Sequence, residues 1–514
     1  MNKYPRITPL LCAAVGTAFG FYLLAFLNPI VSIIFLFISL TALSFFHVLA
    51  SFGGKSIVPG RFDTDFLVDG RQRNMRLLKL TAICCAAFSA GLILGISAAS
   101  VSRRPVSFSL PVEKITAIEG VLLEDPRIIS GGRVMASVSL LRCAGEGGLR
   151  ASAGGEVTVF FPQEMTARLR EFGRKTTVFA EGSLRTSEAG RQGEVSFTFS
   201  ADSMHIVKAA PEIEQRRTSI RLGLIERFDD KNWGGLALAL LLGIRDNLDS
   251  NLAASYRNAG CSYMLALSGM HLAVLAALIT FLLKKPLGLK LSSIVGAALI
   301  CLYCFIVGPM PSLNRAALMY LLGVVAILGF LPREPLPVLS LSFLIQIIIS
   351  PASGYSISFI LSYLALAGIL VIGQPMYSLF AGKAPDFLLK PVSASCGAFF
   401  ATAGVTGFTF GIVVPMGIIT GLFLVPLTTL FMIGSIVWLV LDYFTISVIL
   451  NFPLSVLYSL MESIVSIAGG IGGFSAAKPF IALVILVVSV VLSLLIVILE
   501  YRQRESRLNL KAFS

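Results

Sequence analysis

Ser268 and His271 stand three residues apart in Ala266-Leu267-Ser268-Gly269-Met270-His271-Leu272, within an apolar segment, Met264 to Leu283, long enough to cross a membrane. A hydroxyl and an imidazole at that spacing share a helix face. Polar groups in hydrocarbon are costly unless they are paired or face water, so the pair is a candidate for lining a translocation path. Gly269 between them permits close backbone approach, which suits helix packing through small residues equally well. Two polar breaks lead into this segment, Gly243-Ile244-Arg245-Asp246-Asn247 and Ser255-Tyr256-Arg257-Asn258-Ala259-Gly260. They add Arg245, Asp246 and Arg257 to the candidates. Asn314-Arg315-Ala316-Ala317 opens another apolar run after Pro309 and Pro311. An arginine there must snorkel, pair or face water. Facing a cavity, Arg315 would engage phosphate through charge-assisted hydrogen bonds; at the surface it would only anchor the helix. Ser362, in Phe359-Ile360-Leu361-Ser362-Tyr363, is a further candidate, although composition alone makes it an ordinary packing serine.

Other chemistries find no support. The histidines are three, His47, His205 and His271, and they are far apart. No spacing suits zinc, no cluster suits a two-metal nuclease, and no Walker A motif is present. A serine and a histidine without an orienting third group make a poor hydrolase. No enzymatic activity, metal or cofactor is therefore expected. The eight cysteines are scattered; Cys301 and Cys304 have CxxC spacing without a second pair, and the set reads as small hydrophobes.

The elements that must carry these residues are mostly membrane helices. The chain of 514 residues is 56% hydrophobic and only 13% charged, against about 25% charged in soluble domains. Runs long enough for a bilayer, which needs roughly 20 residues, include Leu10 to Leu27, Ile30 to Ala50, Leu77 to Ser97, Met264 to Leu283 and Phe480 to Leu499. Lys3 and Arg6 precede the first run, which is too long for a signal peptide and is expected to be retained. The net charge of +13 includes Lys55, Arg61, Arg71, Arg73, Arg76 and Lys79 between the second and third runs, and Arg502, Arg504, Arg507 and Lys511 after the last. Placing these groups in the cytoplasm makes the segment after the third run extracytoplasmic.

That segment differs in kind. Between residues 101 and 210 charge of both signs returns, and Ile115 to Leu123, Arg133 to Arg142, Gly155 to Phe161, Lys175 to Leu184 and Gly193 to Phe199 read as strands. Five strands in a hundred residues is the size of a small barrel, the OB type included. Such a barrel would hold single-stranded nucleic acid on a basic, aromatic face, but the near balance of charges suits a scaffold or docking domain better. Residues 211–232 read as an amphipathic helix at the membrane surface, with Ile213, Ile220, Leu224 and Phe228 among Arg216, Arg217, Arg221 and Arg227. The expected architecture is a polytopic α-helical membrane protein with an inserted small extracytoplasmic β-barrel. Helices fill residues 1–100, the OB-like domain 101–210 and the interfacial helix 211–232; a polytopic domain of seven to nine crossings fills 233–499, and a basic cytoplasmic tail 500–514.

The ordered motifs Gly243-Ile244-Arg245, Tyr256-Arg257-Asn258-Ala259-Gly260, Leu265 to His271, Asn314 to Met319 and Phe359 to Tyr363 resemble the competence membrane channel family, the DNA internalisation proteins of natural transformation. The resemblance covers nearly the whole chain. It implies a channel in the inner (cytoplasmic) membrane that passes single-stranded DNA inward. The implied partners are a periplasmic DNA receptor and a cytoplasmic helicase-like ATPase. It also implies a path lined by Arg245, Asp246, Arg257, Ser268, Gly269, His271, Arg315 and Ser362. Many members carry a carboxy-terminal metallo-β-lactamase-like domain; only about 15 residues follow the last apolar run here, so either a separate nuclease is expected to degrade the other strand or the sequence is a piece of a longer protein. Tyr263 stands where the family usually has histidine, and Gly421 where asparagine is common. The alternatives are a transporter of another anionic or lipidic substrate on the same fold, and a non-transporting scaffold in the bilayer.

Overall fold

The computed structural model describes residues 9–26, 83–96, 98, 106–129, 133–145, 150–165, 172–187, 196–331, 334–475 and 479–512. The expected span from Ile30 to Ala50 and the basic groups at residues 3–6 and 55–79 lie outside them. The chain begins with α1 (Pro9–Phe26) and α2 (Ile83–Ile96), which are close-packed. The Cys84 thiol of α2 donates to the Cys12 carbonyl of α1 at 3.4 Å.

The β domain follows: β1 (Ser107–Phe108), β2 (Ile115–Leu122), β3 (Arg127–Ile128), β4 (Val134–Gly145), β5 (Arg150–Gly154), β6 (Glu156–Phe161), β7 (Thr177–Ser187) and β8 (Ser196–Lys208). Hydrogen bonding runs β1-β5-β4-β2-β7-β8-β6, with β3 beside β4 and a further β4–β6 pairing. The β6–β8 pair is parallel. Alternation of buried with more exposed residues from Val134 to Leu140 of β4 and along β6 turns Val134, Ala136, Val138, Val157, Val159 and Phe161 into a common core with Ile118, Val178 and Phe199. The expected five-stranded OB-type barrel is corrected to an eight-stranded mixed sheet. Its three extra strands are β1 and β3, two residues each and too short for alternation to reveal, and β5, Arg150-Ala151-Ser152-Ala153-Gly154, which has no large apolar residue to alternate.

The helical part comprises α3 (Glu212–Asp229), α4 (Gly234–Leu242), α5 (Ser250–Asn258), α6 (Ser262–Leu265), α7 (Gly269–Val307), α8 (Pro311–Leu328), α9 (Pro335–Ile349), α10 (Ile357–Phe380), α11 (Asp386–Phe410), α12 (Met416–Tyr443), α13 (Val448–Ile471) and α14 (Pro479–Ala512). Among the described residues seven of these helices are long and apolar enough to cross a membrane. Helix α7 is folded double. Pro286 interrupts it, and Gly288 takes φ 70°, a left-handed value that favours glycine. A Cβ at Gly296 would lie 3.5 Å from Ile279; along a straight helix those residues would stand about 25 Å apart. The two arms, either side of the Pro286–Gly288 turn, each reach about 25 Å, so both ends of α7 lie on the same side. Helix α14 carries the expected last span and continues through the basic tail to Ala512.

One large core joins α3 to α8 with α12 and α13. Phe228, Trp233, Phe431 and Trp438 form its centre, with ring centroids 5.1 to 6.1 Å apart. The Trp438 indole N–H donates to Asn451 Oδ1 at 2.7 Å, so even this polar atom is satisfied.

Candidate functional site

The helix expected from Met264 onward breaks at the polar cluster itself. Helix α6 ends at Leu265, and Ser268 is the N-cap of α7. The Ser268 Oγ accepts from the Met270 N–H at 3.3 Å, and the Ser268 N–H donates to His271 Nδ1 at 2.8 Å. Ser268 and His271 therefore form a reciprocal cap that satisfies otherwise orphaned N–H groups. Because Nδ1 accepts, the ring proton of the neutral imidazole sits on Nε2. His271 is 0% exposed and its Nε2 has no partner.

Arg315 comes to the same place from the start of the second turn of α8. A Cβ on Gly269 would lie 2.7 Å from its Nη2, so glycine is what admits the guanidinium. Nη1 donates to the Ser362 carbonyl in the first half of α10, and the guanidinium lies 5.7 Å from the centre of the Tyr363 ring. The Ser362 hydroxyl takes a bond from Ser312 at 3.0 Å. Arg315 is 8% exposed, and its Nε has no partner. Among the described residues no carboxylate forms an ion pair with it. The N-terminal turns of α7 and α8 thus meet a buried arginine and a buried imidazole N–H. Helix N-termini carry partial positive charge, so the place is a positive pole.

Five of the eight expected residues are brought together: Ser268, Gly269, His271, Arg315 and Ser362. Arg245 is one step away, exposed, with Nε donating to the Leu265 carbonyl at 3.2 Å. Partial desolvation, and then the like charge of Arg127 on β3, lower its pKa. Asp246 acts electrostatically on Arg221 of α3. Arg257 is exposed in the last turn of α5 and is not joined to the cluster. Missed by sequence reasoning were Ser312 and a relay behind Arg315: the Tyr363 hydroxyl donates to Gln346 Oε1 at 2.9 Å and lies 3.3 Å from the Ser342 hydroxyl. A glutamine in the apolar helix α9 was the available signal.

The β domain is fastened beside this pole. The guanidinium of Arg217 in α3 is 1% exposed and pairs with Asp125, in the β2–β3 turn, at 2.7 Å. Arg217 Nε also donates to the carbonyls of Phe305 and Ile306, and Nη2 to that of Val307. Arg221 Nη1 reaches Ile306 and Val307 as well. Two arginines therefore cap the C-terminal end of α7, where cations are favoured. Glu214 binds Arg174 and Lys175 at 2.9 and 3.1 Å. Burial alone would raise the pKa of both acids. For Asp125 the bonds and charges of Arg217, Arg221 and Arg174 outweigh it, and for Glu214 those of Arg174 and Lys175 do, so both lie below the ordinary range. Helix α3 is found as expected, but Arg217 and Arg221 turn inward to this latch rather than to a membrane surface.

Tyr263 and Gly421, far apart in sequence, meet. A Cβ at Gly421 would lie 2.9 Å from the Tyr263 hydroxyl, so the phenol occupies space that the glycine leaves open.

The family model described as "Competence protein" matches residues 240–502, just over half of the chain. Among curated proteins, an uncharacterized protein of Aquifex aeolicus (strain VF5) is 27% identical over 219 residues, 42% of this chain and 50% of that protein. ComE operon protein 3 of Bacillus subtilis (strain 168) is 27% identical over 153 residues, 28% of this chain and 19% of that protein. The matches thus span half or less of the length of these relatives.

Proposed function

This chain belongs to the competence protein family, and from that premise we propose that it serves DNA uptake as a membrane channel passing one DNA strand into the cytoplasm. The observation that carries the reading is Arg315, buried without a carboxylate where two helix N-termini converge. A charge at membrane depth costs at least about 2.5–3.5 kcal/mol, and a carboxylate partner would be the ordinary remedy. Here the unpartnered Nε–H of Arg315 and Nε2–H of His271 are left for an acceptor that comes and goes. A phosphodiester oxygen has the charge for this position. One strong contact, with Arg127 and Arg245 nearer the β domain, would favour entrance without trapping a polyanion.

The proposed orientation follows from α7. Its turn carries Lys284, Lys285 and Lys290 at the end opposite the latch, and the positive-inside rule assigns that end to the cytoplasm. The β domain then faces outward, towards a DNA receptor. We further infer that the chain does no bond chemistry; a helicase-like ATPase supplies the pull and a separate nuclease removes the other strand.

The test is strand-specific uptake of labelled DNA by cells carrying Arg315→Gln or His271→Gln, with membrane insertion verified. Uptake should fall at least tenfold, about 1.4 kcal/mol of lost favourable interaction. Unchanged uptake in both variants sinks the route. A second reading, that Arg315 fastens α8 to α10, draws on its bond to the Ser362 carbonyl and its place against Tyr363. It requires Arg315→Gln to lower thermal stability together with uptake.

A further inference from the structure

A groove of about 730 Å³ lies between the first arm of α7 and α8, and no residue of the positive pole lines it. Its walls are Ala276, Ala277 and Thr280 of α7, with Tyr320 of α8 opposite. Thr280 spends its hydroxyl hydrogen on the Ala276 carbonyl at 2.7 Å, which leaves the wall nearly apolar. The groove opens sideways past Phe281, 78% exposed, on a surface that a bilayer would cover. At its upper end stand Lys284 and Lys285, just before the Pro286–Gly288 turn. Among the described residues neither lysine forms an ion pair. Lys290, by contrast, lies over the Phe330 ring at 4.4 Å.

We propose that this groove holds one anionic phospholipid, its phosphate on Lys284 and Lys285 and an acyl chain along Ala276, Ala277 and Phe281. The two halves of the site match the two halves of such a lipid. Paired ammonium groups meet the phosphate at headgroup level, and an apolar trough, open to the membrane, continues below them. A nucleic-acid strand would use the lysines but has no chain for the trough. The site also lies outside the route proposed for DNA, and it needs no DNA passage.

Native mass spectrometry of the full chain, titrated with dioleoyl phosphatidylglycerol or dioleoyl phosphatidylcholine, tests the assignment. Phosphatidylglycerol should form the tighter adduct. Lys284→Gln with Lys285→Gln should cost roughly fivefold in affinity per lysine and erase the preference. Ala277→Phe, which fills the trough and keeps both charges, should weaken the adduct as well, and it reads the same site if the double variant is not recovered folded. Lys290→Gln should change nothing. Equal binding of the two lipids by the unaltered chain overturns the proposal, as does an unchanged adduct in either groove variant. Displacement of the phosphatidylglycerol by millimolar inorganic phosphate would make this a simple phosphate site, and displacement by an oligothymidylate a nucleic-acid site. Either result also overturns it.

Discussion

Arg217 and Arg315 are both buried arginines, and they lie beside opposite ends of one loop, the link between α7 and α8. Arg217 is saturated: ion pairs with Asp125 and Glu214 and bonds to three backbone carbonyls engage all three of its nitrogens. Arg315 has a single carbonyl, a ring face and an orphaned Nε. The same residue type serves opposite ends. A buried cation whose donors are all used is a fastener, since opening it strands a charge in a low dielectric. One left short of acceptors, with no counter-ion, holds its place only because the surrounding helices over-determine it. That arrangement suits a group which a passing ligand completes.

The largest expected effect breaks the fastener. Arg217→Ala leaves Asp125 and the α7 carbonyls uncompensated and should destabilise the protein by about 3–5 kcal/mol, read by thermal unfolding in detergent; Arg315→Gln should stay well below that. Acid should open the same latch more gently. Asp125 and Glu214 have lowered folded pKa values, so their stabilisation is present above the ordinary carboxylate value of about 4. It is lost as pH falls through the lower folded values. Protection factors of the α3 amides, with the intrinsic pH dependence of exchange divided out, should therefore be flat from neutrality to about pH 5 and fall below about pH 4.

Gly269→Ala sharpens the contrast at the pole. The new methyl would meet the end of the flexible Arg315 side chain at 2.7 Å, so stability should change by less than about 1 kcal/mol while DNA uptake falls several-fold. A stability loss as large as that of Arg217→Ala would make Arg315 a second fastener. The smallest effect concerns Tyr263. Gly421→Ala should cost about 1 kcal/mol through the 2.9 Å contact with the phenol hydroxyl, and Tyr263→Phe should recover most of it. Additive effects in that double-mutant cycle would deny the contact.

Much of this was legible in the residues. Phe480 to Leu499 announces a helix because so long an apolar run in a bilayer leaves no other way to satisfy the backbone, and it is found. The strands centred on Val138, Val159 and Val178 are likewise written in their alternation. Less legible was the break at Ser268. A continuous apolar run from Met264 reads as one helix, whereas the serine and His271 close a reciprocal cap that starts a new one. The meeting of Tyr263 with Gly421 and the strand Ser107–Phe108, which pairs with Ala153 and Gly154, were beyond reach, since each depends on a partner distant in sequence.

The amino-acid order by itself determined that this chain crosses a membrane repeatedly, that a polar β domain interrupts the crossings, and which few hydrophilic residues lie within apolar surroundings. Those are local properties, set by side-chain solvation and by periods of two or 3.6 residues. Only the tertiary structure decided which arginine is saturated and which is not. Five candidates converge while Arg257 stands apart, and Lys284 and Lys285 top an apolar groove, for the same reason. Hydrogen-bond saturation and burial belong to packed neighbours, and the neighbours of Arg315 come from three helices that no stretch of sequence contains together.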